Sequence, residues 1–213
     1  MSLFIAIAGN IGVGKSTLSE RLATRLGWEL FPEPAVQNPY LSDFYGSMER
    51  WAFHSQVYFL AHQLQQHHEL IQIKGGVIQD RSVYESVEIF GRNLYNRGHL
   101  SQRDWTTYRM LYDSHIALLP PPSLIIYLEA TIPTLVTRIR SRGRKYEQDI
   151  DEQYLGDLHR LYEEWATSAN LAPVMRIPTD EINFVSDTSA VDALAKKIIA
   201  ALPTQQLPLF AEH

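Results

Sequence analysis

Near its start the sequence reads Phe4-Ile5-Ala6-Ile7-Ala8-Gly9-Asn10-Ile11-Gly12-Val13-Gly14-Lys15-Ser16-Thr17. An apolar run therefore ends in a glycine-rich loop of the form G-x-x-x-x-G-K-[ST], and a helical pattern follows it. Such a loop turns backbone N–H groups toward phosphate oxygens, and the positive end of the helix dipole adds to their attraction. The pattern predicts a phosphate-binding loop (P-loop) that holds a nucleoside triphosphate. The residues expected to contact it are Gly9, Asn10, Ile11, Gly12, Val13, Gly14, Lys15, Ser16 and Thr17.

Two side chains of the P-loop have a predicted chemical role. Lys15 is expected to reach the β- and γ-phosphates, and the Ser16 hydroxyl is expected to ligate Mg²⁺. The alternative is a glycine turn between a strand and a helix that binds nothing. The complete pattern and both flanking elements favour the P-loop.

Composition limits the class of protein. A chain of 213 residues with 45% hydrophobic residues is long enough to bury the core of a single α/β domain. Its 24 acidic against 19 basic residues argue against a nucleic-acid partner, whose binding surface would be basic. The absence of cysteine excludes disulfides and suits a reducing cytoplasm. The apolar start is too short for a signal peptide and no other run reaches membrane-spanning length, so we expect a cytoplasmic protein without a membrane partner.

Strand and helix signals alternate along the chain. This alternation predicts a doubly wound parallel sheet of about five strands with helices on both faces, in one domain over 1–202. The stretch 203–213 is expected to be a loosely held tail. The predicted strands are Phe4–Ala8, Trp28–Phe31, Val77–Gln79, Leu124–Leu128 and Val174–Ile177. The predicted helices are Lys15–Leu26, Met48–Ile73, one capped by Ser82, Ser101–Leu119, Pro133–Ser141, Asp151–Asn170 and Ser189–Leu202.

Charged residues follow several of these strands, where open α/β sheets bind ligands. Glu33 lies between two prolines after the second strand, and Asp80-Arg81 follows the third. Each has a simpler explanation, because Glu33 fits a solvated turn and Asp80-Arg81 a local ion pair. Beside a P-loop they instead suggest a base for an acceptor hydroxyl, a cation for the phosphoryl group and an acid for Mg²⁺. A basic cluster at Arg138, Arg140, Arg142 and Arg144 fits either a solvated helix face or a lid over phosphates.

With these motifs the chain resembles the deoxynucleoside kinase family, which includes deoxycytidine, deoxyguanosine, deoxyadenosine and insect multisubstrate kinases. The resemblance covers Phe4 to about Trp165, with five motifs in the family's order. It implies a P-loop kinase fold with an arginine-rich lid at about 138–150 and a homodimer formed through helices between about Tyr84 and Leu119. The motifs are Gly9–Thr17, Glu33-Pro34, Tyr45-x₅-Trp-x₄-Gln56, Asp80-Arg81-Ser82 and Arg138-x₃-Arg142-Gly143-Arg144-x₂-Glu147.

The resemblance also implies residue roles. Glu33 would be the general base on the 5′-hydroxyl of a deoxynucleoside, Arg81 would steady that hydroxyl and the phosphoryl group, and Asp80 would help to hold Mg²⁺. Many members carry Glu at the last position, so the shorter Asp80 is expected to act through water. The lid arginines that would close over the ATP phosphates are Arg138, Arg142 and Arg144. Arg140 falls outside the family pattern.

Sugar and base contacts follow from the same resemblance. Tyr45 and Glu147 would bind the 3′-hydroxyl, and the Gln56 amide would make paired hydrogen bonds to the base. The loop Thr179–Val185 would surround the adenine of ATP. Animal deoxycytidine and deoxyguanosine kinases carry a charged Arg and Asp where this chain has Gln63 and Ser86. Ser86 is therefore expected to face the base as a neutral group, and the short chain looks more like the compact bacterial purine deoxynucleoside kinases.

We therefore predict ATP-dependent 5′-phosphorylation of a deoxynucleoside in nucleotide salvage, with purines favoured and Mg²⁺ as the cofactor. One alternative is a nucleoside monophosphate kinase similar to thymidylate kinase, which shares the P-loop and the lid. That enzyme would need extra cations for the acceptor phosphate, and a base at Glu33 disfavours it. The other alternative is a non-catalytic P-loop nucleotide sensor.

Overall fold

A computed structural model describes residues 3–168 and 171–202, and these residues form a five-stranded parallel sheet with helices packed around it. The strands are β1 (Leu3–Gly9), β2 (Glu29–Phe31), β3 (Gly76–Asp80), β4 (Leu124–Glu129) and β5 (Val174–Pro178). The helices are α1 (Lys15–Leu26), α2 (Leu41–Gly46), α3 (Met48–Leu70), α4 (Val83–Glu85), α5 (Arg92–Asn96), α6 (Gln102–Ile116), α7 (Ile132–Arg142), α8 (Glu152–Ser168) and α9 (Thr188–Ala201).

The strand order is β2-β3-β1-β4-β5, so β1 lies at the centre and pairs with β3 on one side and β4 on the other. All seven residues of β1 are buried. Successive side chains of β1 point to opposite faces of the sheet and enter different clusters. Leu3, Ile5 and Ile7 pack with α1, α7 and α9. Phe4 and Ala6 pack with the end of α3. A strand buried on both sides reads as a continuous apolar run. The predicted doubly wound α/β fold is confirmed.

Most predicted elements are present, with small shifts at their ends. The helix α1 has the predicted bounds, whereas α3 ends at Leu70 and not at Ile73, and α6 ends at Ile116 and not at Leu119. Ser101 caps α6 as predicted, because its hydroxyl accepts a hydrogen bond from the Asp104 amide at 3.1 Å. Residues 169–170 at the predicted end of α8 and the predicted tail 203–213 lie outside the described residues.

Two features of the fold were not predicted. The short helix α2 precedes α3, and Ser47, with φ −156° and ψ 85°, separates them. The predicted helix after Ser82 is also interrupted, because a π-helical stretch at Ser86–Gly91 joins α4 to α5. Such π-helical stretches are rare and occur often at functional sites. Among the described residues, no helix is both long enough and apolar enough to cross a membrane.

Candidate active site

A cavity of about 630 Å³ opens at the carboxyl ends of the strands. Its lining comes from the P-loop, from Glu33 after β2, from Arg81 after β3 and from Asp180–Val185 after β5. The helices α2 and α3 and the lid supply the remaining walls. Chain segments far apart in the sequence thus meet at the sheet edge where ligands of open α/β folds bind.

The P-loop glycines are required by space and by backbone geometry. Gly9 has φ 145°, and a Cβ on it would lie 2.7 Å from the Leu128 carbonyl oxygen. Gly12 has φ 82°, and its Cβ would lie 2.7 Å from Ile139 Cγ1. Gly14, at φ 107°, precedes α1 without any side-chain cap, so the first N–H groups of α1 remain available to a phosphate.

Lys15 is a buried cation in this loop, with 8% of its surface exposed. Its Nζ donates hydrogen bonds to the carbonyl oxygens of Gly9 at 2.8 Å and Asn10 at 3.1 Å. Burial lowers its pKa, while the carboxylates of Glu33 and Asp80 act in the opposite direction. The ammonium group is therefore held within the loop, at the position expected for a phosphate-binding lysine.

Ser16 and Asp80 meet beside the P-loop, where the Ser16 hydroxyl donates a hydrogen bond of 2.6 Å to Asp80 Oδ2. The other carboxylate oxygen, Oδ1, is buried without a hydrogen-bond partner. Burial raises the pKa of Asp80 to about 6, and the nearby charge of Glu33 adds to this effect. A hydroxyl and an unpaired carboxylate oxygen fit Mg²⁺, which commonly takes one or two protein oxygens and completes its shell with phosphates and water.

No cluster of three or more His, Cys, Asp or Glu side chains with metal-binding geometry occurs in the part of the chain that the structure describes. A cage made only of protein ligands is therefore not found there. The Ser16–Asp80 pair fits a metal ion that arrives with a nucleotide.

Glu33 and Arg81 form a buried ion pair between Oε1 and Nη1. The Arg81 guanidinium also lies 3.5 Å from the ring centroid of Phe90 and 5.2 Å from that of Phe59. Burial alone would raise the pKa of Glu33, but Arg81 and Lys15 outweigh it and lower the pKa. Glu33 is thus an ionised carboxylate at neutral pH and can accept a proton from a hydroxyl held beside it.

The backbone at Arg81 is strained. Its φ of 65° is the only left-handed value among the non-glycine residues that the structure describes. Such a conformation costs about 1–3 kcal/mol and persists where the surroundings enforce it. The Arg81 amide donates a hydrogen bond to the Ile7 carbonyl oxygen at 3.1 Å, which ties the turn to the central strand.

The far end of the cavity carries neutral polar groups and one carboxylate. Tyr45, Gln56 and Glu147 line it, and their predicted contacts with sugar and base stay a prediction. Gln56 is 3% exposed, and its Oε1 has no hydrogen-bond partner. Ser86 is fully buried, its hydroxyl also lacks a partner, and it is not among the residues that line the cavity. Direct contact between Ser86 and a substrate therefore stays a prediction.

The lid arginines differ from one another in their contacts. Arg138 donates to the carbonyl oxygens of Val13 and Ile182, both at 3.1 Å, so it joins the P-loop to the loop after β5. Arg142 and Arg144 both form ion pairs with Glu147. Gly143, at φ 73°, ends α7 between these two arginines and turns the chain. Arg140, outside the family pattern, is exposed.

Several functional positions were not predicted from the sequence. The aromatic side chains of Phe44, Phe59, Phe90 and Tyr154 line the cavity. Phe59 lies one helical turn after Gln56 on α3, so helical spacing offered a signal for it. Glu85 is fully buried and accepts a hydrogen bond of 3.2 Å from the Gly9 amide of the P-loop.

Comparison with known proteins agrees with this geometry. A family model described as "Deoxynucleoside kinase" matches residues 5–202. A deoxyadenosine/deoxycytidine kinase of Bacillus subtilis (strain 168) is 35% identical over 204 residues, which cover 95% of this chain and 94% of the relative. A deoxyadenosine kinase of Dictyostelium discoideum is 36% identical over 83% of this chain and 72% of its own length. A solved structure of deoxyadenosine kinase from M. mycoides with bound dATP has a TM-score of 0.80, with 29% identity over 92% of this chain and 99% of that one.

Proposed function

Because this chain belongs to the deoxynucleoside kinase family, we propose that its ATP-dependent phosphorylation of a deoxynucleoside takes place at the 5′-hydroxyl, with Glu33 as the general base and purine deoxynucleosides as the preferred acceptors. The observation that carries the proposal is the Glu33–Arg81 ion pair, which borders the same cavity as the P-loop and Gln56. One cavity thus offers a triphosphate site, a base and an acceptor pocket.

The chemistry divides among the charged residues. Glu33 removes the proton from the 5′-hydroxyl while that oxygen attacks the γ-phosphorus, and ADP leaves. Arg81 stays protonated beside Glu33, so its guanidinium orients the hydroxyl and offsets charge on the transferring group. Lys15 and the amides at the start of α1 bind the phosphate oxygens.

Mg²⁺ is the proposed cofactor. When bound, it would neutralise the charge of the β- and γ-phosphates. The Ser16 hydroxyl and, through a water molecule, the Asp80 carboxylate would hold it, because the two groups meet beside the P-loop and Asp80 Oδ1 has no hydrogen-bond partner. Because the pKa of Asp80 is about 6, its carboxylate is mostly ionised at neutral pH, and this is the form that binds a cation.

Arg142 and Arg144 are proposed to leave Glu147 for the phosphates when the lid closes. Both side chains are about one-third exposed, whereas the side chain of Glu147 is 4% exposed. The arginines can therefore move while the carboxylate stays in the cavity wall. Glu147, released from them, becomes an acceptor for the 3′-hydroxyl of the sugar together with Tyr45.

Purine preference is proposed from the base end of the cavity. The Gln56 side chain offers one acceptor and two donors, which match adjacent groups on adenine, guanine or cytosine. Gln63 and Ser86, at the positions where animal deoxycytidine and deoxyguanosine kinases carry charge, are neutral and buried. Relatives named for deoxyadenosine and for deoxyguanosine support an acceptor of the purine class.

The class of molecule that accepts the phosphoryl group distinguishes this proposal from a nucleoside monophosphate kinase and from a nucleotide sensor. Release of ADP is the measurement. We expect ADP release with ATP, Mg²⁺ and deoxyadenosine, and little release when dTMP or dAMP replaces the nucleoside. Release with monophosphates only would indicate a nucleoside monophosphate kinase. Binding of ATP without release for any acceptor would indicate a nucleotide sensor.

A homodimer is proposed through the helices between Tyr84 and Leu119. This region contains the exposed apolar side chains of Met110, Leu111 and Leu118, which are 67%, 40% and 80% exposed. Large apolar groups exposed together are typical of protein interfaces. Light scattering at micromolar concentration should give twice the chain mass of 24.4 kDa, and a monomer would contradict the proposal.

A cytoplasmic location is also proposed, because ATP and the nucleosides to be salvaged are available there. The absence of cysteine suits that compartment. Fractionation of cells that express the natural protein tests the proposal, and recovery in the membrane or secreted fraction would contradict it.

A further inference from the structure

Glu85 is a buried carboxylate that is not among the residues lining the cavity. It is fully buried at the end of α4, and its Oε1 accepts hydrogen bonds from the Ser82 amide at 2.9 Å and the Ser82 hydroxyl at 3.3 Å. This arrangement is a capping box, in which an acid in the third position of a helix pairs with the capping residue. A capping box alone would give Glu85 a purely local, structural role.

The second oxygen of Glu85 makes contacts that a capping box does not need. Oε2 accepts a hydrogen bond of 3.2 Å from the amide of Gly9, the first P-loop residue, and one of 2.8 Å from the Tyr162 hydroxyl on α8. Gly9 and Tyr162 lie 76 and 77 residues away in the chain. One carboxylate therefore joins the P-loop, the turn after β3 and helix α8.

Glu85 links the P-loop to the strained turn at Arg81. The Arg81 amide is bound to the Ile7 carbonyl oxygen at 3.1 Å, and the next amide, that of Ser82, is bound to Glu85. Hydrogen bonds therefore fix both peptide groups around a residue with φ 65°. Without the contact at Ser82, the turn loses one of the two restraints that oppose its relaxation.

We propose that Glu85 is a positioning residue that sets the distance between the P-loop and the Arg81 guanidinium during phosphoryl transfer. This inference rests on the proposed function, because it needs Arg81 to act on the transferring phosphoryl group. A small displacement between a phosphate cradle and a catalytic cation costs rate far more than it costs ground-state binding. Glu85 itself touches neither nucleotide nor nucleoside in this role.

The substitution Glu85→Gln separates the two roles of the side chain. The amide oxygen can still accept from Ser82, so the capping box survives. The NH₂ group would then face the N–H of Gly9, and two donors cannot form a hydrogen bond. Single-turnover phosphorylation of deoxyadenosine at saturating ATP and Mg²⁺ should slow by about tenfold to a hundredfold, while the dissociation constant of deoxyadenosine should change less than about threefold.

Asp104→Asn is the matched control. Asp104 pairs with the capping residue Ser101 at the start of α6 and lies outside the cavity lining. Its loss should lower thermal stability slightly and leave the single-turnover rate unchanged. If Glu85→Gln keeps the unmodified rate per folded molecule, as Asp104→Asn should, Glu85 has only a structural role and the proposal is wrong.

A second variant covers the case in which Glu85→Gln does not fold. Tyr162→Phe removes one donor from Oε2 and keeps the ring that stacks on Tyr127 at 5.5 Å. We expect a loss of rate of about two- to fivefold with unchanged nucleoside binding. An unchanged rate would overturn the proposal. An unmodified enzyme that does not phosphorylate deoxyadenosine would instead refute the proposed function, so the two failures are distinguishable.

Discussion

The two ends of the cavity are built on opposite principles. At the phosphate end, the charged side chains of Lys15, Glu33, Asp80 and Arg81 each have at least one hydrogen-bond or ion-pair partner, although Asp80 Oδ1 and Arg81 Nε have none. At the base end, the side chains of Gln56, Gln63 and Ser86 are neutral and buried, and each has at least one polar atom without a hydrogen-bond partner. A buried charge without a partner is too costly to keep, whereas a neutral amide can remain unpaired until a ligand arrives.

This difference assigns separate tasks to the two ends. In the proposed function, the charges of Lys15, Glu33 and Arg81 are fixed before transfer, and the lid arginines move to join them. The base end has free hydrogen-bonding capacity, so the ligand that completes it is the one that binds best. Substitutions at the phosphate end should therefore change the rate of transfer, and substitutions at the base end should change the choice of nucleoside.

The largest effect is expected for Glu33→Gln. The amide keeps the shape of the side chain but cannot accept the proton, so kcat should fall by about 10²–10⁴ while nucleoside binding changes little. Steady-state kinetics together with a binding titration measure both. Glu29→Gln is the control, because Glu29 is exposed on β2 only four residues earlier. Equal kcat values for the two variants would move the base role away from Glu33.

Asp80→Asn should raise stability while it lowers activity. The pKa of Asp80 is raised from 3.8 to about 6, so the folded protein binds this proton more tightly than the unfolded chain. The ionised form therefore costs stability, and this cost is absent below about pH 4, grows between the two pKa values and is complete above about pH 6. Removing the charge should add up to about 3 kcal/mol at pH 8.

Thermal unfolding of the Asp80→Asn variant in EDTA checks this sign. The melting temperature should exceed that of the unmodified protein at pH 8, and the difference should shrink as the pH falls toward 5. A gain that grows with acidity would show that the carboxylate is stabilised, not penalised, in the folded protein.

The lid is expected to give an intermediate effect. Arg142→Lys and Arg144→Lys keep the charge but lose the planar fork that binds a phosphoryl group, so each should lower kcat by about tenfold. Arg140→Lys serves as the control, since Arg140 is exposed on α7, the helix that ends at Arg142. If all three variants retain full activity, the lid contributes only general electrostatic attraction.

The smallest effect is expected at the base end. Ser86→Asp adds a carboxylate at a buried position that is predicted to face the base, and relative kcat/KM among deoxynucleosides should shift by about threefold to tenfold. Absolute kcat for the preferred nucleoside should change less than that ratio does. An unchanged ranking would show that Ser86 does not influence the base.

The sequence predicted the parts of the site that depend on local pattern. The P-loop and the order of strands and helices follow from spacing and apolar runs, which act over a few residues. The helix α2 escaped prediction because it has only six residues and ends in Gly46, so its sequence carries too few periodic positions. Tyr45 was placed by motif alone, without the helix that presents it.

Long-range contacts could not be predicted from local pattern. Glu85 resembles any acid near a helix start until the fold brings Gly9 and Tyr162 to its second oxygen. The ion pairs of Arg142 and Arg144 with Glu147 likewise depend on how the chain turns after α7. The left-handed backbone at Arg81 gives no sequence signal, because such strain is imposed by the surrounding structure.

The division of tasks between the two ends is tested most directly by kcat/KM for the four deoxynucleosides with the unmodified enzyme, ATP and Mg²⁺. We expect both purines to lead, with deoxyadenosine slightly ahead of deoxyguanosine, deoxycytidine weaker and thymidine the poorest. The Gln56 amide alone does not choose between the purines and cytosine, so the expected lead of the purines rests on the likeness to relatives named for deoxyadenosine and deoxyguanosine. A kcat/KM for thymidine above those of both purines would contradict it.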